Sequence, residues 1–232
     1  MDQLLTLDRG EIRRYLGCPG PADPDTEERI DRCSRLLARE ARPRTVWKEC
    51  SLCWEEGGIL LEGTVLSLPG KDIARHLAGC RRCILMAATL GWETERRILQ
   101  AQAGRMADAV VLDACATAGV EEVCDRLEDD LRRRYGRLTG RFSPGYGDLP
   151  LELQPAVLRV LDAGRRIGLT LSPGGVLLPH KSVTAILGID PPQGQTLPAG
   201  TESCDRCGGC PQREGCVFRK GGGSCGAARR NL

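Results

Sequence analysis

Aromatic residues are scarce, at 3% of the 232 positions, and histidine occurs only at His76 and His180. A core must therefore be built from Leu, Val, Ile and Ala, which the 41% hydrophobic content supports. Charge of one sign is also lacking. Lys and Arg total 33 against 31 for Asp and Glu, a net charge of +2. So even a balance gives no general pull toward nucleic acid or an anionic membrane. Arg132, Arg133, Arg134, Arg137 and Arg141 form a local basic cluster, most of it read as the solvated face of a helix. No apolar run approaches the ~20 residues that span a bilayer, and the first residues lack the charge and apolar pattern of a secretory signal. The expectation is a cytoplasmic chain. In a reducing compartment its 13 cysteines point to metal sites, redox chemistry or buried thiols before disulfides.

Helix signals open the chain: Asp8 as a cap, Glu11 three residues on, and Gly17 as a stop predict a helix over 8–15. A second helix is expected over 25–42, closed by Pro43. Residues 45–48 and 58–68 read as strands, 71–78 as a short helix, and 83–90 as a strand buried on both faces or a buried helical turn. From 93 to 135 the pattern is helical, with breaks expected near Gly104 and Gly119. Another amphipathic helix is expected over 151–168 and a strand over 181–189. Strands and helices mix without regular βαβ alternation, so the fold class is α+β: an antiparallel or mixed sheet with long helices. Residues 1–190 form the folded unit, 191–202 a Pro/Gly linker, and 203–232 a short Cys-rich tail. There is no internal repeat.

The informative stretch is 141–148, Arg-Phe-Ser-Pro-Gly-Tyr-Gly-Asp. Pro144 fixes one backbone angle and Gly145 permits positive φ, so a tight turn can expose its amides and carbonyls. Arg141 ahead of it offers a planar fork for a carboxylate. Such a site suits an amino-acid moiety, although Arg, Pro and Gly in one segment are also what an ordinary surface turn contains.

This segment resembles the R-x-x-P-G-Y loop of the activation domain of cobalamin-dependent methionine synthase, the signature of that domain's S-adenosylmethionine site. Residues 68–91 are similar to short, stand-alone relatives of the domain. Residues 112–136 resemble its long helix, and 171–189, with P-x-x-S-V at 179–183, its closing strand. The resemblance spans roughly residues 5–190. It implies that Arg141 meets the ligand's carboxylate, that the Ser143 backbone and Tyr146 side chain contact the ligand nearby, and that Glu121 is the binding glutamate, with Glu122 as the less favoured candidate. A carboxylate suits a ligand bearing an ammonium and a sulfonium. Two departures stand out: the aspartate that family members draw from an N-terminal loop has no placed counterpart, and tyrosines near the end of the closing strand are replaced by Ile186, Leu187 and Gly188.

The resemblance further implies reductive reactivation: one electron reduces cob(II)alamin and S-adenosylmethionine traps the product as methylcobalamin. The chain lacks the D-x-H-x-x-G segment of a corrinoid carrier and a G-x-G-x-x-G loop, so cobalamin is expected on a partner. That partner is a methionine synthase without its own activation domain or another corrinoid methyltransferase, with flavodoxin or ferredoxin as electron donor. The chain then acts as the S-adenosylmethionine-binding subunit, with methyltransferase activity only beside the corrinoid protein.

Cys204, Cys207, Cys210 and Cys216 can wrap one metal centre. Their spacing matches an iron–sulfur cluster of the four-iron, four-sulfur type first and a structural zinc second, with no metal as the third reading. Cys50-x-x-Cys53 and Cys80-x-x-Cys83 also have zinc-ribbon spacing, but buried or incidental thiols are the preferred reading. Cys18, Cys33, Cys115 and Cys124 read as core or surface residues, His76 as an ordinary, partly buried residue, and His180 as a strand cap. The rival to the reactivation reading is a non-catalytic, metal-stabilised docking module for a corrinoid methyltransferase; a zinc-ribbon nucleic-acid binder is a distant third.

Overall fold

Asp8 accepts the Glu11 amide at 2.8 Å and starts helix α1 (Arg9–Tyr15), while Gly17 turns the chain away at φ 77°. The second helix, α2 (Pro24–Glu40), is capped by Asp23 and carries Pro24 in its first turn. It ends before residue 42 because the residue preceding Pro43 is driven out of helical geometry. The structure, a computed structural model, describes residues 5–18 and 20–190; the linker and the Cys-rich tail lie outside that range.

Strand β1 (Arg44–Glu55) turns at Gly57 (φ 109°) into β2 (Gly58–Leu61), and β3 (Ser67–Leu68) follows. The expected strand over 58–68 is thus two short strands around a turn, whereas β1 runs well past Lys48. After α3 (Lys71–His76) comes β4 (Arg82–Thr89), nearly all of it buried. The continuous apolar run therefore resolves as a central strand. Helices α4 (Trp92–Gln102) and α5 (Met106–Tyr135) part at Gly104 as expected. Gly119 does not interrupt α5. A Cβ there would lie 3.0 Å from Leu5 Cδ2 and 3.3 Å from Leu7 Cδ2, so this glycine serves close packing. A 3₁₀ turn at Leu151–Leu153 leads to α6 (Gln154–Leu161) and α7 (Ala163–Ile167), which are separated by Asp162 at φ 51°. The hairpin β5 (Thr170–Leu171) and β6 (Leu177–Leu178) precedes β7 (Ser182–Ile189).

The main sheet has the order β3-β2-β1-β4-β7, and every pairing is antiparallel. Period-two alternation sends Ile84, Met86, Ala88, Ala185 and Leu187 to a face covered by α1, α2, α4 and α5. Cys83, Leu85, Ala87 and Ile186 go to the opposite face, under α3, α6 and α7. The free edge of β7 is covered by residues 138–142, which bridge Leu138 to Ile189 and Phe142 to Ile186. Among the described residues no helix is long and apolar enough to cross a membrane.

Candidate ligand-binding site

The segment beside β7 is extended, so successive side chains leave it on opposite sides. Phe142 packs against His76 (ring centroids 5.0 Å apart) on the α3 side. Arg141 crosses to α5. Its Nη2 donates to Glu121 at 2.8 Å, and its Nη1 lies 3.0 Å from both Asp125 and Glu128. These three carboxylates occupy positions i, i+4 and i+7 of α5, a single helical face. Arg141 is only 17% exposed and Glu128 is buried beside Arg132, at 2.6 Å. Burial opposes the arginine's charge, but Glu128, Glu121 and Asp125 more than offset it, so its pKa rises above the ordinary value. The Nη1 contacts are ion pairs without hydrogen-bond alignment: this buried nitrogen completes no hydrogen bond within the protein.

The turn that follows is closed by Tyr146 N–H to Ser143 carbonyl (3.0 Å) and Gly145 N–H to Leu149 carbonyl (2.8 Å), with Gly145 at φ 90°. Asp148 then reaches across to α3 and accepts the amides of Lys71 (2.6 Å) and Asp72 (3.0 Å). This remote cap replaces the one that Gly70 cannot supply, and the two amides hold the Asp148 carboxyl below its usual range. A Cβ at Gly70 would stand 2.4 Å from Asp148 Oδ1, so the cap needs glycine at that position.

The residues singled out from sequence are therefore only partly brought together. Glu121 and Arg141 are in direct contact, while Glu122 pairs with Arg126 at 2.7 Å. The Ser143 hydroxyl donates to the Thr184 carbonyl at 2.8 Å, fastening the loop to β7. Tyr146 is 58% exposed, its ring edge-on to Phe142 at 6.1 Å. It thus lies on the α3 side of the segment, away from Arg141's side chain. Sequence reasoning missed Asp125 and Glu128, whose spacing from Glu121 was the available signal. It also missed Tyr15, whose phenol is pushed up by burial and by the charge of Glu121. At the start of β7, Lys181 meets Asp113 (2.8 Å) and Thr117 (2.9 Å) of α5. His180 does more than cap: Glu95 accepts its backbone N–H at 3.0 Å and pairs with Nδ1 at 2.5 Å.

Cys50 and Cys53 lie three apart on β1 and so point to opposite faces. Cys53 is exposed, whereas Cys50, Cys80 and Cys83 are buried. Burial pushes all three buried thiols up, Cys83 the furthest. Among the described residues no His, Cys, Asp or Glu cluster could hold a metal. Cys33, Cys115 and Cys124 are buried as well, and Cys18 is exposed. Cys204, Cys207, Cys210 and Cys216 lie outside the described residues.

The architecture is similar to that of a solved structure, the crystal structure of the MetH reactivation domain bound to AdoHcy. The TM-score is 0.62 over 94% of this chain and 82% of that one, at 13% identity. The fold is that of the MetH reactivation domain. No family model and no curated protein matches the chain. Within the reactivation-domain fold, Arg141 sits between β7 and α5, with its guanidinium facing Glu121.

Proposed function

We propose that this chain binds S-adenosylmethionine and serves the reductive reactivation of a cobalamin-dependent methyltransferase of the methionine synthase type. The reading is carried by the buried Arg141, set one turn ahead of Pro144-Gly145-Tyr146 and in contact with Glu121 at 2.8 Å, within a reactivation-domain fold. Arg141 receives the ligand's carboxylate. Glu121 faces its ammonium and sulfonium. The Ser143 backbone and Tyr146 border the same ligand. Binding orients the methyl group, which is the protein's contribution to a reaction whose hard chemistry belongs to the cofactor. The corrinoid, held by a partner, supplies the nucleophilic cobalt. That partner is a methionine synthase lacking its own activation domain or another corrinoid methyltransferase, with flavodoxin or ferredoxin, or a cluster on Cys204, Cys207, Cys210 and Cys216, as electron source. Residues 1–190 are the ligand-binding unit, 191–202 the linker and 203–232 the tail.

A second reading, a non-catalytic docking module, draws support from one observation: Arg141 is already engaged by three carboxylates of its own chain. The deciding experiment mixes the protein with a methionine synthase truncated of its activation domain, its cobalamin in the cob(II) state, plus reductant and S-adenosylmethionine. Conversion to methylcobalamin, followed by absorbance, is expected with the wild-type protein and not with Arg141→Ala. Conversion equal in both would remove the site assignment, and none in either would favour the docking module.

A further inference from the structure

Met106, Val110, Asp113, Thr117 and Glu121 follow one another at three- and four-residue steps, so they share one side of α5. The N-terminal half of this stripe forms one wall of a cleft of about 330 Å³, bounded on the other side by Tyr15 and Leu16 at the end of α1. Small-molecule sites begin at about this size. Met106 and Val110 remain 62% and 54% exposed, an apolar surface that a flat heterocycle would cover. Asp113, at the rim, is 53% exposed yet held in place by the largely buried Lys181, at 2.8 Å. The same ammonium meets Thr117 at 2.9 Å. A fixed carboxylate beside an apolar cleft is the arrangement that accepts ribose hydroxyls. The cleft is also continuous with the Arg141 site. Asp113 stands about 12 Å from Glu121 along the helix axis, and Tyr15 both walls the cleft and feels the charge of Glu121.

We infer that this cleft is the nucleoside subsite of the ligand site. Adenine lies between Tyr15 and the Met106–Val110 surface, ribose meets Asp113, and the amino-acid portion runs down α5 to Arg141. The inference rests on the S-adenosylmethionine reading above. The other course open to such a ligand, over the Pro144–Tyr146 turn, would lead to the far side of the segment from the Arg141 guanidinium, where the Tyr146 ring packs edge-on to Phe142.

Calorimetric titration of S-adenosylmethionine, methylthioadenosine and methionine into the full chain tests this. Val110→Trp fills the cleft from an exposed position, so the fold is expected to persist, as circular dichroism will verify. It should weaken S-adenosylmethionine and methylthioadenosine by at least about tenfold and leave methionine unchanged. Asp113→Asn should weaken only the two ribose-bearing ligands, and Tyr146→Ala should change methylthioadenosine by no more than about twofold. Wild-type binding of S-adenosylmethionine that survives Val110→Trp unchanged would overturn the cleft while leaving the functional reading intact. Loss of nucleoside affinity in Tyr146→Ala instead would overturn the cleft in the same way. Methylthioadenosine binding without S-adenosylmethionine binding would keep the cleft and sink the functional reading; no binding of either nucleoside would sink the cleft.

Discussion

On the α5 side of the sheet the buried polar groups are charged and meet as ions; on the α3 and α6 side they are neutral and meet as hydrogen bonds. Arg141 with Glu121, Asp125 and Glu128, and Lys181 with Asp113, make up the first set. The second comprises His76 Nε2 with Thr139 Oγ1 (2.8 Å), Thr139 Oγ1 accepting the Gly188 amide (2.7 Å), and Gln154 paired twice with Thr184. Burial pushes the His76 pKa down to about 4, so its ring is neutral near pH 7. Desolvating ions costs more than desolvating neutral polar groups, and a buried ion pair often does no better than an apolar replacement. A fold that needed polar contacts only for specificity could use the neutral kind on both faces. The charged kind is concentrated where a zwitterionic ligand is proposed to bind, so the contrast separates groups that hold the fold from groups kept for chemistry.

The largest expected effect comes from breaking the charged set. Arg141→Met leaves Glu128 buried with only part of its compensation and should cost roughly 3–5 kcal/mol in urea denaturation at neutral pH. Part of that loss should return as pH falls and the carboxylates protonate. A loss below about 1 kcal/mol would mean that these ions are effectively solvated, and the contrast between the faces would dissolve.

The neutral set is tested by pH. The folded-state pKa of His76 is about 4, below the ordinary value of about 6.5 for an unfolded chain. Between these values the unfolded state binds the proton and the folded state does not. Stability from this group is therefore complete above pH 6.5 and falls as pH drops toward 4, by roughly 3 kcal/mol in all. In His76→Gln that portion of the stability–pH curve should flatten; an unaltered curve would show that the ring is solvated.

A smaller effect sharpens the picture at Gly188. A Cβ there would lie 2.6 Å from Cys80 Sγ and 2.9 Å from Thr139 Cγ2. Gly188→Ala should therefore cost about 1–3 kcal/mol by overpacking, with part of it regained in the Gly188→Ala/Cys80→Ala pair when melting temperatures are compared. This crowding gives a physical reason why no tyrosine stands at this point of β7.

Much of the scaffold was legible because its signals are local. Asp8 with Glu11 marked the first helix, Gly104 the α4–α5 break, and the apolar run at 83–90 the central strand. Readings failed where the cause is distant in sequence. Gly119 resembles a helix breaker until Leu5 and Leu7 are seen to press on it. The second half of β1 escaped notice because most of it is exposed, in a hairpin with β2. The α6–α7 break occurs at an aspartate in left-handed geometry, with no glycine to announce it. At the site, the motif identified Arg141 and Glu121, yet nothing local revealed that Asp125 and Glu128 would join them, or that Asp148 would cap α3 from across the loop. The C-x-x-C spacing at Cys50 and Cys53 suggested convergence, but a strand turns thiols three apart to opposite faces.

The role of Arg141 is tested most directly by one titration: S-adenosylmethionine into anaerobically purified wild-type protein, beside Arg141→Ala, by calorimetry. Saturable binding in the wild type, weakened by about a hundredfold or more in the variant, is the predicted result. No heat with the wild type, or equal binding by both proteins, would contradict the assignment of Arg141 as the centre of the ligand site.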